Sequence, residues 1–277
     1  MKLPLLAFFI LLLSSGAGAQ TVDALGTFTP YSLFGIGEIE KQGSAMNIGM
    51  GGIGVAVRNN RFINYLNPAS ITERDTLSFM MDVGMDIKNF YNKDNDVSSA
   101  YNAFNMRNIV ITLPIYKKSA LILGFVPISN IGYKFASSET DPLIVSKYGD
   151  IKYYKYGSGS VNKLFVGGAL NIGKKLAVGV ELIDYFGTLY KHSDVEFSSD
   201  NTIRTIVSGN DYTISAFSAK FGAQFFTPFA NDKYLLTLGA TYSRGRDLGG
   251  DITDYSYATD ATGTSVDTPY HNVTSNN

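Results

Sequence analysis

From Thr76 onward the chain repeats one pattern: apolar side chains at every second position, over runs of roughly ten residues. In Thr76 to Lys88 the odd positions Leu77, Phe79, Met81, Val83, Met85 and Ile87 are apolar, and Ser78, Asp82, Asp86 and Lys88 lie between them. Successive side chains of a strand point to opposite faces, so a long period of two dictates a strand with one greasy and one polar face. The pattern recurs in Arg107 to Ile115, in Ala120 to Phe135, and in the pair Leu164–Ile172 and Leu176–Leu182. It returns in Phe217–Phe225 and again in Tyr234–Tyr242, which makes seven predicted strands.

The connections narrow the choice of architecture. Tyr116 to Ser119, Gly173 to Lys175 and Thr227 to Asp232 are short. Asn89 to Met106, Ala136 to Gly159, Lys191 to Asn210 and everything after Gly245 are long and polar, and the two kinds alternate. A soluble β-sandwich also alternates apolar and polar residues, but nothing sorts its loops by parity. An outer-membrane barrel does sort them, with short turns on the periplasmic side and long loops outside. The mature chain has no transmembrane helix candidate, so only a closed barrel would satisfy its backbone in lipid. The fold class expected is all-β, an antiparallel transmembrane β-barrel.

The first residues agree with that compartment. Lys2 precedes the apolar run Leu3 to Leu13, and Ala17-Gly18-Ala19 then offers a small-residue cleavage site before Gln20. This is the layout of a secretory signal peptide; eleven apolar residues are too few for a spanning helix, which needs about 20. No Cys follows the site, which excludes a lipoprotein. The absence of Cys from the whole chain also removes disulfides, thiolate nucleophiles and cysteine metal sites. His192 and His271 are the only imidazoles and lie far apart in sequence, with no readable Ser and carboxylate arrangement. No cofactor or metal is expected, and no enzymatic activity. A net charge of −1 argues against a nucleic-acid partner.

Loop parity has a further consequence. The first strand must rise from the periplasmic side, so the seventh rises too and the chain would end in an outer loop. Bacterial single-chain barrels have even strand numbers, and the tail His271 to Asn277 does not read as a last strand. The expectation is therefore a truncated reading frame. Three parts follow: a signal peptide over 1–19, a leader over 20–75 and a partial barrel over 76–277. The leader lacks alternation and is rich in Gly35, Gly37, Gly43, Gly49, Gly51, Gly52 and Gly54, which fits equally a plug folded within a barrel and a disordered periplasmic leader. Gly49 to Gly54 also satisfies G-x-G-x-x-G, but no buried strand precedes it and no helix follows, so the dinucleotide reading fails.

Tyr31-Ser32-Leu33-Phe34-Gly35-Ile36-Gly37, Asn47-Ile48-Gly49-Met50-Gly51-Gly52 and Asn67-Pro68-Ala69 together resemble the start of the FadL-type family, in its Bacteroidetes branch. These are outer-membrane transporters of long-chain fatty acids and other hydrophobic compounds. The resemblance implies a 14-stranded barrel, about half of it present, with a hatch that ends at Asn67, Pro68 and Ala69. It also implies an inward kink in the third strand, through which an apolar ligand passes sideways into outer-membrane lipid. That strand carries Pro127 and Gly132. Independently of the family, Pro cannot donate to a ladder and Gly tolerates a bulge, so pairing should break there. Phe34, Met46, Met50, Ile53 and Phe62 are the candidate lining of the ligand path, because Met and Phe adapt to flexible apolar ligands; the alternative, favoured for any single one of them, is that they pack the plug against the barrel wall. Asp82, Asp86 and Lys88 read as ordinary lumen polarity. The competing function is a non-transporting barrel that serves as a scaffold or shuttle and has secretion-system proteins as partners.

Overall fold

The computed structural model describes residues 25–73, 79–94, 97–116, 119–197, 204–231, 233–245, 247–259 and 270–276. The expected signal peptide and its cleavage site at Ala19 lie outside the described residues.

The alternating segments form the wall. They become β2 (Met80–Asp94), β3 (Val97–Tyr116), β4 (Ser119–Ser138), β5 (Ile151–Ile172), β6 (Leu176–Phe197), β7 (Thr205–Phe229) and β8 (Tyr234–Ser243). All their pairings are antiparallel. A two-residue strand of the leader, β1 (Glu38–Ile39), pairs with β4. β9 (Gly250–Thr259) and β10 (Tyr270–Asn276) complete one sheet, in the order β10-β9-β7-β6-β5-β4-β3-β2, with β8 also on β7. The fold is all-β, and the sheet is not closed among the described residues.

Two expectations are corrected. The long connections are largely strand, and the stretch after Gly245 is not a loop, since it holds β9 and β10. β2 and β3 run on through most of Asn89 to Met106 and meet at Asp94↔Val97. His192 sits in β6 and His271 in β10, not in loops. The reason is that a ladder needs only paired backbone, which Tyr, Thr and Ser strands supply as well as apolar ones. Twenty-two residues of β5 span about 70 Å at 3.3 Å per residue, more than twice a hydrocarbon core of about 30 Å. A strand longer than a hydrocarbon core need not keep one apolar face along its whole length, so alternation can fade while pairing continues. β7 shows both regimes: Lys220–Phe229 pairs with the apolar β8, and Thr205–Ile214 pairs with the polar β9.

Residues 25–73 lie against one face of this sheet, taken here as the inner face. Ile63, Tyr65 and Ile71 of the leader share a buried core with Val110, Ala120, Ile122, Val126, Phe165, Ala169 and Ile183 of the wall. The neighbours Leu121, Leu123, Leu164, Val166, Val180 and Leu182 point the other way and are exposed. The one-face alternation seen in the sequence is thus resolved into a leader-facing side and an outward apolar side.

Candidate functional site: a hatch against an interrupted wall

The leader, or hatch, contacts the wall in two ways. Residues 44–73 are docked by close backbone approach and amide hydrogen bonds. Ser44 caps the short helix α1 (Ala45–Gly49) in a reciprocal capping box with Asn47. Asn47 and Asn64 are buried, and between them they bond the carbonyls of Ile53, Gly54 and Val57 at 2.6–3.0 Å. The Asn67 side chain accepts from the Ala69 amide at 3.0 Å and so starts the 3-10 turn Pro68–Thr72, where Pro68 loses no needed donor. Its amide nitrogen donates to Val55 O at 2.7 Å and to Ala223 O of β7 at 3.2 Å. Wall glycines make room: a Cβ on Gly222 would collide with Asn67 and the Pro68 ring, and one on Gly179 with the Pro68 carbonyl group.

Charged and amide groups complete this dock. Gln224 is buried and donates to Val55 O at 2.9 Å, while its carbonyl accepts from Arg58 at 3.0 Å. Arg58 also holds Glu73 at 2.6 Å and lies 4.0 Å from the Phe226 ring centroid. The Lys220 ammonium donates to Leu66 O at 2.5 Å, beside the buried Glu181 of the neighbouring strand, while the Lys163 ammonium on the far side of that strand donates to Gln42, at the end of the other half of the hatch, at 3.3 Å.

Residues 25–42 are held differently, across a break in the wall. β3 pairs with β4 only from Tyr116↔Ser119 up to Ile109↔Phe125, although both strands continue for a dozen residues. Just beyond Phe125, on the opposite edge of β4, the β4–β5 register shifts between Pro127 and Ser129, which leaves Ile128 as the extra residue of a bulge while β4 and β5 stay paired on both sides of it. Where β3 leaves, the hatch takes up the β4 edge. Glu38 and Ile39 pair with Asn130 and Ser129, Glu40 donates its amide to Ile128 O at 2.8 Å, and Thr29 donates to Gly132 O at 2.9 Å. Gly132 is a point of close approach, because a Cβ there would strike the carbonyl of Thr27. On the other side of the break, Asn105 of β3 donates to Gly26 O at 2.6 Å, and Tyr101 stacks on Phe28 at 4.9 Å.

An ion cluster crosses the same break. Lys88 of β2 lies 2.5 Å from Glu40 and 3.7 Å from Glu38. Asn130 of β4 donates to the same Glu40 oxygen at 2.7 Å, and Arg107 lies 3.6 Å from Asp86. Further along the inner face, Ile131, Tyr133, Val161, Leu189 and Ile214 form an apolar patch on which Leu33 and Ile36 of the hatch rest.

The residues predicted for the site fall into separate places. Asn67, Pro68 and Ala69 are buried at the dock. Pro127 is at the bulge, and Gly132 is bonded to the hatch three residues beyond the shifted Ser129. Phe34, Met46, Met50 and Ile53 are exposed, and Phe62 lines a small pocket with Ile63, Ser70 and Thr112. These five are not drawn into one path; the hatch side chains that meet the apolar patch are Leu33 and Ile36. Asp86 and Lys88, read as plain lumen polarity, belong to the ion cluster. Arg58, Asn64 and Gln224 were not singled out. Their only signal was polarity inside a Gly-rich leader or at inward strand positions.

The family model described as BamG matches residues 1–276. The chain belongs to the BamG family. No curated protein and no solved structure matches it. Membership of the BamG family and the all-β, barrel-like wall agree with an outer-membrane location.

Proposed function

We propose that this BamG-family chain is an outer-membrane transporter that admits hydrophobic small molecules, of the long-chain fatty acid kind, through a plugged barrel with a lateral opening. The observation that carries this reading is the parting of β3 and β4 above Ile109↔Phe125, beside an inner patch formed by Ile131, Tyr133, Val161 and Leu189. A break in a membrane wall leaves strand edges that must be satisfied elsewhere, so it has a cost. A sideways exit into lipid gives it a purpose. A solute with a dozen methylenes gains about 10 kcal/mol on leaving water for an apolar phase, at about 0.8 kcal/mol each. Such a solute needs a route that avoids the aqueous side, and passage is then passive. Phe104 and Met106 on β3 are exposed apolar residues level with the break, which suits an exit into acyl chains. The resemblance of the hatch motifs to FadL-type transporters supports the same reading.

The test is uptake of a fluorescent long-chain fatty acid by cells lacking the gene, with and without the restored chain. Uptake should fall on deletion and return on complementation. Equal uptake in all strains would refute transport. One observation favours a second reading, a non-transporting scaffold with protein partners such as secretion components. The hatch is stitched to the wall by polar bonds, and the break is sealed. Under that reading the deletion changes the levels of partner proteins and leaves uptake untouched.

A further inference from the structure

We propose that Lys88 is a positioning residue that latches hatch strand β1 into the wall break, and that residues 25–42 open as a flap while residues 44–73 stay docked. The inference rests on the transport reading for its purpose, but its geometry stands alone. β1 is the element that replaces β3 along β4, and it contributes only two paired residues. Two carboxylates, Glu38 and Glu40, stand on and beside that strand, and a third, Asp86, faces the same space. Lys88 serves Glu38 and Glu40 together, whereas Arg107 is turned to Asp86. With Lys88 present the cluster closes the break. Without it, Glu38 and Glu40 of the flap face Asp86 of the wall with Arg107 left to offset three carboxylates, and the attraction at β1 gives way to net repulsion.

The other holds on the flap do not reverse in that way. Lys191 donates to the carbonyls of Leu33 and Gly35 at 2.9 and 2.8 Å, and Ser129 donates to Ile36 O at 2.8 Å. These hydrogen bonds re-form with water once the flap lifts, and the packing of the half-buried Leu33 and Ile36 on the apolar patch is lost without any change of sign. The boundary of the moving part is also marked. Gly37 and Gly43 have φ of +96° and +118°, a conformation that lets the chain turn sharply on both sides of β1. Beyond Gly43 the buried residues include Ser44, Asn47, Asn64 and Tyr65, and then the unbroken run Asn67 to Thr72.

The experiment uses the full chain in outer membranes. Since the sequence has no Cys, single cysteines report one place each. One replaces Ser129, fully buried beneath β1, and another replaces Ser70, buried in the dock. Labelling by a water-soluble maleimide is followed in the Lys88 background, in Lys88→Ala and in Lys88→Arg. The alanine variant should label about tenfold faster at position 129, equivalent to about 1.4 kcal/mol of closing free energy, and no faster at position 70. Arginine should restore protection. Equal acceleration at both positions would mean that the hatch moves as one body, and no acceleration at 129 would mean that Lys88 is no latch. Either result overturns the proposal.

A second variant covers the case in which Lys88→Ala does not assemble. The register partners Ile39 and Ser129, replaced together by cysteines, would form a disulfide that ties the flap shut with Lys88 in place. Uptake should then require a reductant. If uptake is indifferent to the tie but depends on the gene, the flap proposal fails and transport stands. If position 129 responds to Lys88 while uptake never depends on the gene, the latch stands and transport fails.

Discussion

The two halves of the hatch touch the same wall by different physics. Residues 44–73 come within backbone contact of β6 and β7 at Gly179 and Gly222, and they place buried Asn side chains on carbonyls. Residues 25–42 lie along an edge that β3 abandons, on a few backbone bonds and an ion cluster. Amides fixed on buried carbonyls lose their partners all at once and cannot be released piecemeal. Charges, a two-residue strand and the half-buried Leu33 and Ile36 can be released without disturbing the core that Ile63, Tyr65 and Ile71 share with the wall. One leader thus combines a fixed anchor with a closure that can yield, and the contrast orders what substitutions should do.

The largest effect is expected at the anchor. Gly222→Val would drive a side chain into Asn67 and Pro68, and should cost about 3 kcal/mol, at the upper end of overpacking. Urea unfolding in vesicles reads the loss, together with protease cleavage inside 44–73; an unchanged midpoint would contradict close docking. Asn67→Ala should cost about 2 kcal/mol, because it strands buried carbonyl partners. Asn67→Asp should be nearly as damaging, since it keeps the acceptor to Ala69 but loses the donors to Val55 and Ala223. If the aspartate variant matched wild type, the donor bonds would carry no weight.

The flap half should be softer. Leu33→Ala removes packing from the apolar patch and should cost about 1 kcal/mol, whereas Phe34→Ala, next to it but exposed, should stay within about 0.5 kcal/mol. Parallel melts of the two variants decide this, and a larger loss at Phe34 would place the packing on the wrong side chain. The smallest effect belongs outside the hatch. The amides of Asp141 and Thr140 and the Tyr153 hydroxyl hold the Glu139 carboxyl below its usual range. A lowered carboxylate pKa stabilises above the unfolded value and ceases to do so as pH falls through the folded one. Protease nicking between Thr140 and Asp150 should therefore rise only in acid, and Glu139→Gln should abolish that pH dependence.

The legible part of this molecule was what depends on neighbours two residues apart. Leu77 to Ile87 announced β2 because successive side chains of a strand point to opposite faces, and Pro127 stands where the β4–β5 register shifts. Asn67-Pro68-Ala69 was visible as a motif, although its work on Val55 and Ala223 was not. The polar continuations of β2, β3, β6 and β7 were read as loops, since strands wetted on both faces lose the alternation that reveals them. Phe34, Met46, Met50 and Ile53 were chosen for their chemistry and stand exposed, whereas Ile63, Tyr65 and Ile71 are buried and Leu33 and Ile36 half-buried. Composition names apolar residues but not the direction in which a leader without a period turns them.

The sequence by itself determined that the chain is all-β, that its strands have one apolar face, and that a glycine-rich leader precedes them. Backbone periodicity and residue chemistry suffice for these. Only the tertiary structure decided that the leader divides into an anchor and a flap, and that Lys88 meets Glu40 across forty-eight positions. Such pairings depend on where β3 and β4 part, and no local pattern encodes the distance between two strands that have stopped pairing.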